Sequence, residues 1–199
     1  IRDAQESRGL GDVYKRQCWK STIFPGVLFG SMPIRIIFAI QTRSNSNEMI
    51  SIQPVLHNKK QYLDLLLLAD EQESMIDRYL ERGEMFVLSE DGSIRASCVV
   101  TREAEDIFEI KNIAVYPQFQ RRGYGKKLIQ YLFGHYAGRC RTMLVGTGDS
   151  PLAIPFYENC GFTYSHRIPD FFTDNYDHPI YEAGKQLKDM VYLKRNMDE

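Results

Sequence analysis

The stretch Ile107-Phe108-Glu109-Ile110-Lys111-Asn112-Ile113-Ala114-Val115-Tyr116-Pro117, continuing Gln118-Phe119-Gln120-Arg121-Arg122-Gly123-Tyr124-Gly125-Lys126-Lys127-Leu128, decides how this chain folds. Its first part is rich in β-branched and aromatic residues and reads as a strand that Pro117 ends. Its last part opens a helix over Gly123–Ala137, with Leu128, Leu132 and Tyr136 on one face. Between them stand two glycines, which let a chain turn tightly and bring backbone N–H groups close to a ligand. A helix start has unsatisfied N–H donors and a partial positive charge. Strand, glycine turn and helix together make a cradle for a pyrophosphate, with Arg121 and Arg122 at its mouth.

Outward from that segment, the pattern is regular from Met49 on. Strands are read at Met49–Val55, Met85–Ser89, Ile94–Thr101, Ile107–Tyr116, Thr142–Thr147, Phe162–Ile168 and Lys188–Arg195. Asp91-Gly92 marks a hairpin turn. Asn58 reads as a helix N-cap with Gln61 reaching back to it, ahead of an apolar face of Leu63, Leu66 and Leu67. A second helix spans about Gln72–Arg82, with Gly83 as its C′ stop. A further helix follows Asp149 or Ser150, with Pro151 at its first position and Asn159-Cys160-Gly161 at its end. Pro169–Leu187 is a long polar and aromatic connection. This order argues for one α/β (α+β) layered domain.

Gln120-Arg121-Arg122-Gly123-Tyr124-Gly125 matches the Q/R-x-x-G-x-G/A acyl-CoA signature of the GNAT superfamily of N-acetyltransferases, and the chain resembles that family. Asn112-Ile113-Ala114-Val115-Tyr116-Pro117 looks like the end of its fourth strand, and Pro155-Phe156-Tyr157-Glu158-Asn159-Cys160-Gly161-Phe162 like its downstream helix-to-strand segment. The resemblance runs from Met49 to about Asn196. It implies a mixed, mostly antiparallel six- to seven-stranded sheet flanked by about four helices, with a splay between the fourth and fifth strands that holds acetyl-CoA. Rival glycine motifs fail: a Rossmann fingerprint meets Leu128 where its third glycine belongs, and a Walker A loop lacks its Lys-Ser/Thr.

What the resemblance implies for the site is specific. Backbone N–H groups of Arg122 through Lys126, with Gln120, Arg121, Gly123, Tyr124 and Gly125, meet the pyrophosphate. Ala114 and Val115 face the thioester, the Val115 N–H stabilising its oxygen as the amine attacks. Only ~0.04% of a lysine-like amine is neutral at pH 7, so a base must help. Glu109 is the candidate, on one face with Lys111, Ile113 and Val115 by period 2; the plainer reading pairs it with Lys111 alone. Tyr157 is the candidate acid for the departing thiolate; the plainer reading is a core tyrosine. Ser150 stands where the family often has an asparagine near the cofactor, and it also reads as a helix cap. Asp174 and Asp177, beside aromatic residues in Pro169–Leu187, are candidates for holding a cationic acceptor.

The function expected is transfer of an acetyl group from acetyl-CoA to a primary amine of a small molecule or peptide, by direct attack in a ternary complex. The alternative is a catalytically silent acyl-CoA-binding regulatory module. A formal net charge of −1 with dispersed Lys and Arg gives no support for nucleic-acid binding. His57, His135, His166 and His178 are scattered and the four cysteines form no C-x-x-C pair, so no metal is expected. Isolated cysteines suit a reducing, cytoplasmic compartment. The apolar stretch from Ile23 to Ile40 contains Pro25, Pro33 and Arg35 and reads poorly as a membrane span. Monomer and homodimer both stay open, as do acyl-chain preference and the acceptor's identity.

Residues 1–48 read as a non-domain extension ahead of a 49–199 transferase domain. The run Asp12-Val13-Tyr14-Lys15-Arg16-Gln17 resembles a translated sequencing adapter, which would put the native start at Met49 or Met32. A native tail is the other reading.

Overall fold

Asp91 and Gly92 adopt φ of 50° and 77°, the two positive values of a type I′ turn, and so join the second and third strands of the sheet as a tight hairpin. The computed structural model describes residues 42–43 and 49–198. The reading of residues 1–48 as an extension lies outside the described residues, save that the backbone at Thr42–Arg43 pairs antiparallel with Met49 and Ile50.

Seven strands carry the fold: β1 (Met49–Val55), β2 (Glu84–Glu90), β3 (Ser93–Arg102), β4 (Ile107–Val115), β5 (Thr142–Gly148), β6 (Thr163–Ile168) and β7 (Met190–Asn196). Their order in the sheet is β1-β2-β3-β4-β5-β7-β6, with Thr42–Arg43 at the β1 edge. All pairings are antiparallel except β4 with β5. This is the mixed, mostly antiparallel sheet that the resemblance implies, with seven main strands, within the expected six to seven, and the two-residue strand Thr42–Arg43 added at the edge.

Helices are α1 (Leu63–Leu66), α2 (Glu73–Asp77), α3 (Tyr124–Tyr136), α4 (Ala153–Glu158) and α5 (Phe171–Asn175). Alternation along β2 and β3 feeds both faces of the sheet. Phe86, Cys98 and Val100 pack under α3 with Leu128, Ile129 and Leu132. Met85, Val87 and Val99 pack against Leu66, Ile76 and Leu80 on the opposite face. Leu128, Ile129 and Leu132 are fully buried, and burying each is worth about 1.5–3 kcal/mol. No helix of the described residues is long and apolar enough to cross a membrane.

Four local expectations give way to tertiary geometry. Asn58 sits at φ 50° with no side-chain capping bond, and it leads a 3₁₀ turn over Lys59–Tyr62 instead of an α-helix. Gln61 returns to it through its backbone N–H, 3.0 Å from the Asn58 carbonyl. The second helix stops at Asp77 and continues as turns. Gly83 is therefore not a left-handed stop. A Cβ there would stand 2.6 Å from Val99 Cγ1 and 3.0 Å from the Tyr79 carbonyl, so close packing requires the glycine. The Pro169–Leu187 connection holds α5 and a two-residue hairpin, Tyr181–Glu182 with Lys185–Gln186.

The fourth correction concerns β4. Val99 pairs with Asn112 and Val100 with Ile110, which leaves Lys111 as the extra residue of a β-bulge. The bulge reverses the alternation. Ile113 and Val115 turn to the α3 side, while Asn112 turns to the α1 side and donates to the Leu66 carbonyl at 3.0 Å. Glu109 and Lys111 thus do not share a face with Ile113 and Val115, because period 2 does not survive the inserted residue.

Candidate active site

The pairing of β4 with β5 runs only from Ile107–Thr142 to Ile110–Val145. Beyond the bulge the two strands part, and β5 continues against β7 alone as far as Gly148–Met190. The Tyr116 N–H is taken by the Arg95 carbonyl of β3 at 3.0 Å. Antiparallel N–H groups alternate between the two sides of a strand, so the Val115 N–H points away from β3, toward the opening.

The turn from β4 into α3 carries two residues with positive φ, Arg121 at 60° and Gly123 at 86°. Gln120 Nε2 closes the turn by donating to the Val115 carbonyl at 3.2 Å. The first helical bond runs from the Lys127 N–H to the Gly123 carbonyl at 2.9 Å. That leaves the N–H groups of Tyr124, Gly125 and Lys126 outside the helix ladder, as an anion cradle requires. Arg121, Arg122 and Lys126 are exposed, and none is ion-paired among the described residues. Gly125 lies against Phe156 of α4, where a Cβ would come 3.1 Å from the ring. Tyr124 differs from the rest of the expected set: its hydroxyl is committed to Glu90 Oε2 at 2.6 Å, so only its backbone N–H is open to a ligand.

Ser150 is 1% exposed, and its Oγ accepts from the Leu152 N–H at 3.1 Å and the Ala153 N–H at 3.5 Å. The side chain caps the turn that leads into α4. Ala114 is buried on β4 opposite Ser97.

Glu109 and Tyr157 line the same cavity of about 500 Å³, together with Ile113, Gly146 and Tyr192. Both carboxylate oxygens of Glu109 are held. The Lys111 ammonium lies 2.7 Å from Oε2, and the Tyr192 hydroxyl donates to Oε1 at 3.2 Å. The pairing with Lys111 and the placement at the cavity wall thus coexist. Tyr157 packs edge-on to Phe156 and Phe162. Burial pushes its phenol well above the ordinary tyrosine range, with Cys160 and Glu182 adding to the shift. The group therefore stays protonated at neutral pH. Its hydroxyl has no hydrogen-bond partner among the described residues.

Asp174 and Asp177 are both exposed and neither lines this cavity. Asp177 instead pairs with His178. The carboxyl groups that face the cavity besides Glu109 are those of Asp70, Glu71 and Glu182. Asp70 accepts from the Tyr176 hydroxyl at 3.1 Å and the Tyr79 hydroxyl at 3.3 Å. Burial raises its carboxyl above the usual range, against the lowering effect of those bonds. The Asp177 N–H donates to Gln72 Oε1 at 3.1 Å. These bonds strap the segment after α5 onto the segment after α1. Sequence reasoning missed Asp70 and Tyr192, and nothing in the local pattern marks them; Tyr176 is one of the aromatic residues of the Pro169–Leu187 connection, and it does line the cavity. Among the described residues no group of three His, Cys, Asp or Glu could hold a metal ion.

Comparison with known proteins agrees with this geometry. The family model described as an acetyltransferase (GNAT) domain matches residues 81–164. An uncharacterized N-acetyltransferase of Bacillus subtilis (strain 168), YvbK, is 36% identical over 132 residues, 65% of this chain and 85% of that protein. A GNAT family acetyltransferase from Elizabethkingia anophelis, solved with acetyl-CoA bound, is 33% identical with a TM-score of 0.70, covering 74% of this chain and 97% of that one. A Bacillus subtilis acetyltransferase in complex with CoA is 33% identical with a TM-score of 0.67, covering 73% and 97%. The chain belongs to the GNAT family of acetyltransferases.

Proposed function

We propose that this protein moves an acetyl group from acetyl-CoA to a primary amine of a small molecule, by direct attack in a ternary complex. The observation that carries the reading is the convergence of Glu109 and Tyr157 on one cavity beside the β4–β5 opening. Two relatives, each matched over 97% of its own length, are solved with acetyl-CoA or CoA, which supports the same cosubstrate here.

Acetyl-CoA supplies the activated acetyl thioester. The first turn of α3 fits its pyrophosphate, with Arg121, Arg122 and Lys126 supplying positive charge outside. The Val115 N–H is aimed to donate to the thioester carbonyl as negative charge develops on it; one such donor is commonly worth ~3 kcal/mol. The Glu109 carboxylate receives the surplus amine proton, directly or through one water. As the N–C bond forms and the C–S bond breaks, the Tyr157 hydroxyl delivers a proton to the leaving sulfur. A thiol of this kind has a pKa of about 8.5, so protonation eases its departure.

The strap between Asp70 and Tyr176 supports a small acceptor over a folded protein surface. Asp70, Glu71 and Glu182 beside Phe171, Tyr176 and Tyr181 suit a cationic amine. Buried free thiols at Cys98, Cys140 and Cys160 support a reducing, cytoplasmic setting. The test is mass spectrometry of products after incubating the full chain and acetyl-CoA with a mixture of small amines and lysine peptides. Acetylation of small amines is the expected result. Acetylation of peptides alone contradicts the small-acceptor reading, and acetyl-CoA binding without any product returns the protein to the silent module.

A further inference from the structure

A carboxylate lies buried where the proposed anion cradle begins. Glu90, at the end of β2, is 8% exposed. A buried carboxylate beside a phosphate site is costly twice over, through desolvation and through repulsion of the ligand. Its surroundings account for its presence. Glu90 Oε2 accepts the Tyr124 hydroxyl at 2.6 Å, and Tyr124 is the first residue of α3. The Arg95 Nε lies 3.4 Å from the same oxygen, an ion pair without hydrogen-bond geometry.

Arg95 in turn grips the turn ahead of α3 at two places. Its carbonyl accepts the Tyr116 N–H at 3.0 Å, and its guanidinium lies 4.0 Å from the centre of the Phe119 ring. Arg122 reaches the same ring at 5.6 Å. The turn so held contains Arg121 at a φ of 60°, a conformation that non-glycine residues adopt only when the surroundings enforce it. The carboxylate therefore ties the middle of the turn, through the Arg95 guanidinium under Phe119, and the first helical residue to the β2–β3 hairpin, while the Arg95 main chain holds the start of the turn independently of it.

We infer that Glu90 is a positioning residue for the cosubstrate's pyrophosphate: through Tyr124 and Arg95 it holds the β4–α3 turn and the first N–H groups of α3 in the phosphate-binding arrangement. This rests on the reading of α3's first turn as the pyrophosphate site. Charge alone makes the opposite prediction, because removing an anion beside a phosphate site should tighten binding. The two effects are separated by which part of the ligand loses affinity.

The experiment is calorimetric titration of the full chain and of Tyr124→Phe, Glu90→Ala and the double variant with CoA, and with S-acetylpantetheine, which lacks the pyrophosphate. Each single variant is expected to weaken CoA about ten-fold, the scale of one hydrogen bond to a charged group. The double variant should weaken it little further, because both changes break one connection. S-acetylpantetheine affinity should stay within about two-fold of the unaltered protein in Tyr124→Phe, which deletes a single hydroxyl. Unchanged or tightened CoA binding overturns the inference, as does an equal loss for both ligands. Failure of the unaltered protein to bind CoA overturns the cradle reading itself, and the inference with it.

Discussion

The Tyr192 hydroxyl on β7 reaches across β5 to Glu109 on β4, donating to Oε1 at 3.2 Å. The reach is possible because residue 146 of the intervening strand is glycine: a Cβ there would stand 3.1 Å from Tyr192 Cζ. On its outer face the Tyr192 ring stacks on His166 with centroids 4.6 Å apart. The carboxylate is thereby held from both sides, by Lys111 and by Tyr192. Replacing Glu109 with Gln should lower kcat by about 10²-fold or more and leave acetyl-CoA affinity unchanged. Tyr192→Phe should lower kcat by about ten-fold, because the carboxylate remains but loses one of its two orienting partners. Steady-state kinetics of the two variants check this; a Tyr192→Phe effect as large as that of Glu109→Gln would show that the tyrosine does more than orient.

Tyr157 is expected to act as an acid, so its loss should appear in turnover and not in binding. Tyr157→Phe should cut kcat by about 10²-fold while calorimetry finds acetyl-CoA affinity within about two-fold of the unaltered protein. Burial raises the phenol, so the acid function persists up to and beyond the ordinary tyrosine pKa of about 10. A kcat profile that falls between pH 7 and 9 because of a group absent in Tyr157→Phe would contradict this assignment.

The strands were legible because their β-branched and aromatic runs are bounded by clear turn signals, as at Asp91-Gly92 and Pro117. The glycine turn before α3 was legible because phosphate-cradling loops are built locally. The bulge at Lys111 was not, since it arises from pairing with β3 and leaves no mark in the order of residues. Gly83 carries the same letter as a helix stop, but the reason for it is a valine on another strand. Asp70 and Tyr176 meet from positions 106 residues apart, and only the fold makes them neighbours. Asp174 and Asp177 looked like acceptor ligands because acidic and aromatic residues are interleaved there; one lies on α5 and the other just past its end, and both are exposed to solvent.

The strap yields a contrast between carboxylates. Tyr176→Phe removes the hydroxyl that ties the post-α5 segment to Asp70. It should raise KM for the amine several-fold and speed hydrogen exchange across residues 170–180, with little change in KM for acetyl-CoA. Asp174→Asn and Asp177→Asn should leave KM for the amine within about two-fold, since solvent-exposed charges outside the cavity contribute little. An Asp174→Asn effect on amine KM larger than that of Tyr176→Phe would reverse the assignment.

Stability should fall on the alkaline side, in two stages. Burial raises the thiols of Cys98, Cys140 and Cys160 and the phenols of Tyr79, Tyr136, Tyr157, Tyr176 and Tyr192. Below the unfolded values both states carry these protons and nothing is lost. Above about pH 8.5 for the thiols and about pH 10 for the phenols, the unfolded chain releases protons that the folded chain retains, so unfolding becomes easier as pH rises. Thermal melts should show a Tm that declines from near pH 8.5 and more steeply past pH 10. A Tm that rises over that range would contradict the burial of these groups.

The most direct test of acetyl transfer is the initial rate of free-thiol release when the full chain meets acetyl-CoA, with and without a small cationic amine. The account predicts slow release with acetyl-CoA alone and a saturable, amine-dependent acceleration that Tyr157→Phe largely abolishes. Thiol release that no amine accelerates, in a protein that still binds acetyl-CoA, would contradict it.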